Sequence, residues 1–253
     1  MAETRIRQIL QAIADGQLSV EAAMEDFARW PVEDLGHTLV DHHRALRQEI
    51  PEIIYGAGKT AAQIAEILGE LHRRHGRALA TRVNAETASA VRAQHPAASH
   101  DDSSRLLWLG EFPVAPDEGP LAVVICAGTS DLPVADEAAL TLAWLGHRVL
   151  RINDAGVAGL HRLLARLVDL RAADVIVAAA GMEGALPSVI GGLVACPVIA
   201  IPTSIGYGSA EGGKTALHAM LTSCASGLAV MNIDNGHGAA ILAHRILRKI
   251  SRP

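Results

Sequence analysis

Leu121-Ala122-Val123-Val124-Ile125-Cys126 runs straight into Ala127-Gly128-Thr129-Ser130-Asp131, an apolar hexapeptide closed by a small, glycine-bearing turn. The pattern recurs. Apolar runs at 148–152, 174–179, 197–201 and 228–233 each give way to a glycine-bearing turn and then a helical stretch. Strands alternating with helices require right-handed crossovers, so the reading is α/β: a parallel sheet with helices on both faces. In an open sheet of this kind, ligands sit outside the carboxyl ends of the strands. The turns that fall there are residues 127–131, 154–159, 181–184, 203–208 and 232–236. Every strand ends in a loop able to touch a ligand.

Composition agrees with this. The 253 residues are 50% hydrophobic but only 3% aromatic, so Ala, Val, Ile and Leu must fill the core, as suits a parallel sheet covered by helices. The net charge is −5 and no run of lysines or arginines occurs, which argues against nucleic acid as a partner. An anionic ligand must be held by a local site. The amino terminus is charged and lacks the apolar core of a signal peptide, so a cytoplasmic location is expected. Residues 184–202 are apolar but contain Pro187, Pro197 and several glycines, which reads as a buried helix followed by a buried strand rather than a membrane span. Three cysteines without a CxxC pair or zinc spacing suggest reduced thiols.

Residues 1–118 carry more charge and form a separate, smaller α+β domain in this reading, with 119–253 as the second domain. The boundary lies in residues 113–120, which hold three prolines and a glycine. Helical periodicity covers 4–14 and 20–29, with Ser19 as a cap, and a further helix is expected over 60–75. Strands are expected at 39–41, 53–55, 78–83 and 106–109. The pairs His42-His43 and His72 with His75 have no matching cysteine or carboxylate constellation and read as solvated.

Several loop residues admit both a chemical and a structural role. Thr129 and Ser130 offer hydroxyls and N–H groups to an anion at a helix amino terminus, while Ser130 or Asp131 could simply cap that helix. Glu183 either acts in a site or complements a helix dipole. Arg162, beside His161, has the geometry to hold a phosphate bidentately, yet either residue alone also reads as surface. Gly208-Ser209-Ala210-Glu211-Gly212-Gly213-Lys214-Thr215 fits the Walker A string. Residues 202–207 separate it from its strand and too little chain follows, so it is set aside as a phosphate loop. Cys126 and Cys196 adjoin apolar strands and read as core. Cys224, in the polar turn Thr222-Ser223-Cys224-Ala225-Ser226-Gly227, is either a nucleophile or a structural thiol.

The motifs Gly128-Thr129-Ser130-Asp131-Leu132-Pro133-Val134-Ala135, Gly156-Val157-Ala158-Gly159-Leu160-His161-Arg162, Ala180-Gly181-Met182-Glu183-Gly184, Pro202-Thr203-Ser204-Ile205-Gly206-Tyr207-Gly208, Ser223-Cys224-Ala225-Ser226-Gly227 and Asn232-Ile233-Asp234-Asn235-Gly236 resemble, in order, the LarB family. That family is pyridinium-3,5-biscarboxylic acid mononucleotide synthase of nickel-pincer nucleotide synthesis. Asp41-His42-His43-Arg44, Pro51-Glu52-Ile53-Ile54 and Gly58-Lys59-Thr60 extend the likeness into the first half. The second half is also distantly similar to the PurE-type aminoimidazole ribonucleotide carboxylases and mutases, a three-layer fold. Those enzymes have one more residue in the first turn and a Met-Pro pair where this chain has Ser223-Cys224.

The resemblance implies a substrate and a reaction. Nicotinic acid adenine dinucleotide would be carboxylated on its pyridinium ring by CO2 or bicarbonate and its phosphoanhydride hydrolysed, giving the dicarboxylated mononucleotide and AMP. It implies Cys224 as nucleophile and Glu183 as acid-base or water-activating group. Thr129, Ser130, Asp131, His161, Arg162, Gly181, Met182, Ser204, Gly206 and Tyr207 would line the nucleotide site, closed by Asn232, Asp234 and Asn235. Mg2+ beside the pyrophosphate suits that chemistry, no organic cofactor is called for, and a homo-oligomer, by likeness an octamer, is expected. The rival readings are PurE-type chemistry and a non-catalytic nucleotide-binding module.

Overall fold

The computed structural model describes residues 2–28 and 32–251, so the end of the helix expected over 20–29 lies outside the described residues. The chain divides into two units, Met1–Glu111 and Phe112–Pro253. The division falls just ahead of the proline-rich stretch at 113–120.

The second unit carries five strands, β1 (Leu121–Cys126), β2 (Arg148–Ile152), β3 (Val175–Ala180), β4 (Val198–Pro202) and β5 (Leu228–Val230). They pair in the order β5-β4-β3-β1-β2, all parallel. Six helices cross between and after them: α1 (Leu132–Trp144), α2 (Leu160–Leu164), α3 (Leu167–Arg171), α4 (Leu186–Gly191), α5 (Lys214–Leu221) and α6 (Gly236–Ile250). Side chains of a strand alternate between faces, and both faces here are buried, which is why the strands read as unbroken apolar runs. Ala122, Val124 and Cys126 join Val177, Ile199 and Ile201 against Leu142 of α1 and Ala243 of α6. Val123 and Ile125 join Ile176 and Val198 against Leu163, Leu170, Ile190 and Met220 on the other side. This is the α/β sandwich expected.

Three strands differ from the sequence reading: β3 and β4 each lie one residue later than expected, and β5 is three residues shorter. Asp174 lies just outside β3 and its carboxylate instead accepts the Leu121 N–H at 2.8 Å, tying the starts of two strands together. β5 stops at Val230, because the chain turns back so that the Asp234 N–H donates to the Pro202 carbonyl at 2.9 Å with Asp234 at φ 56°. Walking from β5 to β2, the chain order reverses at β1. The crevice at the carboxyl ends of β1 and β3 is therefore the topological switch point where open α/β sheets take ligands.

The first unit has a four-stranded mixed sheet in the order Ile54–Tyr55, Ala78–Thr81, Leu106–Leu109, Ser99–Asp101, and a separate hairpin of Val32–Asp34 with Leu39–Asp41. The helix Ala61–His75 packs Ile64, Ile67, Leu68 and Leu71 on the sheet; Thr60 and Gln63 form its capping box, and Gly76 ends it at φ 72°. The helix Ala85–Gln94 and the strands Val32–Asp34 and Ser99–Asp101 were not expected. The reading of the histidine pairs as solvated is corrected for two of them: His42 is fully buried against the carboxylates of Glu33 and Glu70, and His75 is half-buried with its ring against that of His42. Among the described residues, no helix is long and apolar enough to cross a membrane.

Candidate active site at the carboxyl end of the parallel sheet

A cavity of about 310 Å³ opens at the switch point. Gly128, Ser130 and Asp131 reach it from the loop after β1, Asp154, Gly156 and Arg162 from the segment after β2, and Gly181, Met182 and Glu183 from the turn after β3, with Ile205 alongside. The loops meet backbone to backbone, which only glycine permits. A Cβ on Gly181 would stand 2.2 Å from the Ile205 carbonyl oxygen, and one on Gly156 would stand 2.7 Å from that of Ala127. The Met182 N–H donates to the Ile205 carbonyl at 2.8 Å and holds Met182 at φ 53°.

Asp131 binds these loops together. It is 4% exposed. Its Oδ1 accepts the Thr203 hydroxyl at 2.6 Å and its Oδ2 the Gly128 N–H at 2.9 Å, with a further backbone bond from Gly181. One carboxylate thus joins the ends of β1, β3 and β4. Burial nevertheless raises its pKa, outweighing the donors, which lower it. Asp131 lines the cavity, but its oxygens are engaged in holding the rim.

The groups free to act lie at the mouth. Arg162 Nη1 is 2.6 Å from Asp154 Oδ2, with side chains 40% and 50% exposed. An ion pair this solvated is worth little on its own, so a phosphate can take the guanidinium at small cost. Glu183 is exposed in the turn ahead of α4, not within its first turn. Among the described residues it makes no ion pair. Ser130 is exposed where the short 3-10 turn Thr129–Asp131 opens into α1.

The remaining expected residues fall outside this cavity. Thr129 is exposed in the same 3-10 turn, and His161 is exposed on α2. At the ends of β4 and β5, the Ser204 N–H donates to Asp234 Oδ1 at 2.8 Å, and Asn232 Oδ1 accepts the Ile233 N–H. Asn235 caps α6 by accepting the Gly238 N–H at 2.9 Å. Gly206 packs on the Ala210 carbonyl, and Tyr207 is 77% exposed. Thr203 and Asp154 were missed. Their only sequence signal was their place at strand ends, beside Pro202 and Gly156.

Cys224 stands elsewhere. It is exposed, in the loop between the end of α5 and the start of β5. Gly227 accepts the Val198 N–H, so this loop is level with the first residue of β4. It therefore borders the amino ends of the strands, roughly 15 Å from the carboxyl ends at about 3.3 Å per residue. Cys126 is buried and Cys196 half-buried, and burial raises the pKa of both thiols. The Walker-like string forms a 3-10 stretch, Gly208–Gly213, set off from β4 by residues 203–207. The Thr215 hydroxyl there donates to the Ser209 carbonyl at 2.5 Å, so the group that would hold a metal is bonded to its own loop.

Residues 32–111 match a LarB/PurE-like N-terminal domain model, and residues 121–252 match an AIR carboxylase model. An uncharacterized protein of Methanocaldococcus jannaschii is 36% identical over 96% of this chain and 97% of its own. An N5-carboxyaminoimidazole ribonucleotide mutase of Pyrococcus horikoshii is 33% identical over 51% of this chain and 73% of its own. The crystal structure of a substituted PurE2 from Treponema denticola superposes with a TM-score of 0.44 at 25% identity, covering 52% of this chain and 82% of that one.

Proposed function

Because the chain belongs to the LarB/PurE-like family, we propose that it carboxylates the pyridinium ring of nicotinic acid adenine dinucleotide and hydrolyses the dinucleotide to a dicarboxylated mononucleotide and AMP. Its second half is a carboxylase-family domain. One observation carries the finer reading: a LarB/PurE-like first domain is joined to that carboxylase domain, in which an exposed thiol, Cys224, occupies the last loop before β5.

The chemistry explains the need for a thiol. A pyridinium carbon is too electron-poor to attack CO2. Addition of the Cys224 thiolate to the carbon para to nitrogen forms a C–S bond and places its electron pair in the ring, giving a dihydropyridine whose free meta carbon is nucleophilic. That carbon attacks CO2 and forms the C–C bond. A base, assigned to Glu183, takes the proton from the same carbon, and the ring electrons expel the thiolate and restore the pyridinium. Arg162, exchanging Asp154 for phosphate, orients the nucleotide in the cavity. Hydrolysis follows by attack of water on the phosphoanhydride. Mg2+ would be held chiefly by the substrate phosphates, with Glu183 the cavity carboxylate engaged, among the described residues, in neither an ion pair nor a hydrogen bond, and would neutralise charge on the departing AMP.

Placement adds one requirement. Cys224 and the cavity occupy opposite ends of the sheet, so the thiol that serves a cavity belongs to a second copy of the chain. A homo-oligomer thereby becomes a condition of the mechanism.

The test is incubation of the protein with nicotinic acid adenine dinucleotide and isotope-labelled bicarbonate, followed by mass spectrometry. AMP and a mononucleotide carrying one labelled carboxyl are expected. Turnover of aminoimidazole ribonucleotide instead, or binding of the dinucleotide without labelled product, would overturn the reading.

A further inference from the structure

A cluster in the first unit brings two carboxylates and an imidazole together beside two arginines. Glu33 sits in the hairpin strand Val32–Asp34, His42 directly follows the strand Leu39–Asp41, and Glu70 projects from the helix Ala61–His75. One ligand atom from each lies within 4.8 Å of the other two. His42 is fully buried, and its Nε2, aimed between the carboxylates, has no hydrogen-bond partner. It stands 3.4 Å from Glu70 and 3.6 Å from Glu33, too far for good hydrogen bonds. Such spacings suit two ligands of one ion: at about 2.1 Å from a tetrahedral centre, neighbouring ligand atoms are about 3.4 Å apart.

We propose that Glu33, His42 and Glu70 bind one divalent first-row metal ion, of the Zn2+ or Mn2+ kind, which fastens the hairpin to the helix. One imidazole with two carboxylates is a borderline donor set of the type those ions accept. The other ring nitrogen of His42 lies 3.2 Å from His75 Nε2, the second partner that commonly orients a ligating imidazole. Burial lowers the pKa of both rings, that of His75 to about 4. The hairpin has three residues per strand, and a two-stranded ribbon of that size is barely stable by itself.

Two arginines face the same carboxylates. Arg73 bonds Glu70 at 2.6 Å and Glu33 at 3.2 Å, and Arg74 Nε stands 3.8 Å and 3.9 Å from them. Arg73 is 54% exposed and can swing into water, so it is the group that yields to the ion. Arg74, 8% exposed, stays and tempers the charge of the two carboxylates.

The full chain is stripped with a chelator, and Zn2+ and Mn2+ are titrated separately by calorimetry without substrate, so that the outcome is independent of the catalytic reading. One ion per chain is expected, with affinity falling about 100-fold in Glu33→Gln and in Glu70→Gln. Arg73→Gln should bind the ion more tightly, a sign that general loss of structure would not produce. Absence of uptake, uptake unchanged in both glutamine variants, or weaker binding by Arg73→Gln would each overturn the proposal.

Discussion

The two ends of the parallel sheet are organised differently. At the carboxyl end, three loops are joined by one buried carboxylate and by glycines that let backbones touch. At the amino end, the loop bearing Cys224 is held by far less: the Ser188 hydroxyl meets that of Ser223 at 2.7 Å, the Ala225 N–H bonds the latter at 3.2 Å, and Gly227 turns at φ 84°. The first arrangement suits a cavity that must keep its shape around a ligand. The second suits a group presented outward. In the mechanism proposed above, a single chain holds two halves of a site at opposite ends of its sheet.

Removing the presented half tests this most severely. Cys224→Ala should lower formation of the carboxylated product by about 10⁴-fold or more, as loss of a covalent route does, while dinucleotide binding by the cavity persists. Product formed at the normal rate would remove the covalent mechanism. The finer test is to mix Cys224→Ala with a cavity variant, Glu183→Gln, after dissociating and reassembling both. Recovered turnover is expected, because some cavities then pair an intact Glu183 with an intact Cys224 from another copy. No recovery, with both proteins assembled together, would place the thiol and the cavity in one chain.

At the carboxyl end the expected effect is smaller. Glu183→Gln should slow turnover by about 100-fold, the usual contribution of one general acid or base, with KM little changed. A raised KM at unchanged kcat would make Glu183 a binding group for substrate or Mg2+. Its side chain is exposed and, among the described residues, makes no ion pair, so a change in stability is not the expected source of either result.

The same contrast marks what could be read from the sequence. The second unit was legible because burial on both faces leaves a strong pattern: β1 and β2 begin and end where the apolar runs do. The cavity was half legible. Ser130, Arg162 and Glu183 follow from the rule that strand ends carry chemistry, whereas the bond from Thr203 to Asp131 spans 72 positions and has no local signature. The placement of Cys224 at the amino end was implicit in the order helix, loop, strand, though the family likeness drew attention to its chemistry instead. In the first unit, Ser99–Asp101 is a polar edge strand recognisable only by its partner Leu106–Leu109. His42 looked solvated because Glu33 and Glu70 join it through tertiary packing, which no spacing announces.

The smallest effect expected concerns Asp131 as the tie of the carboxyl-end loops. Asp131→Asn keeps the size of the side chain but turns an NH2 group toward at least one of the donors, costing roughly 1–3 kcal/mol of stability. The cost should vary with pH. Burial raises the folded-state pKa of Asp131 above the ordinary carboxylate value, so its protonated form contributes stability that is complete below that ordinary value and lost as pH rises through the raised one. The Asn variant has no such titration. The deficit of the variant, measured by urea unfolding across the acidic range, should therefore be largest at low pH and narrow toward neutrality. If it widened instead, the three donors would outweigh burial, Asp131 would be most stabilising as the anion, and the rim would be held by a charge rather than in spite of one.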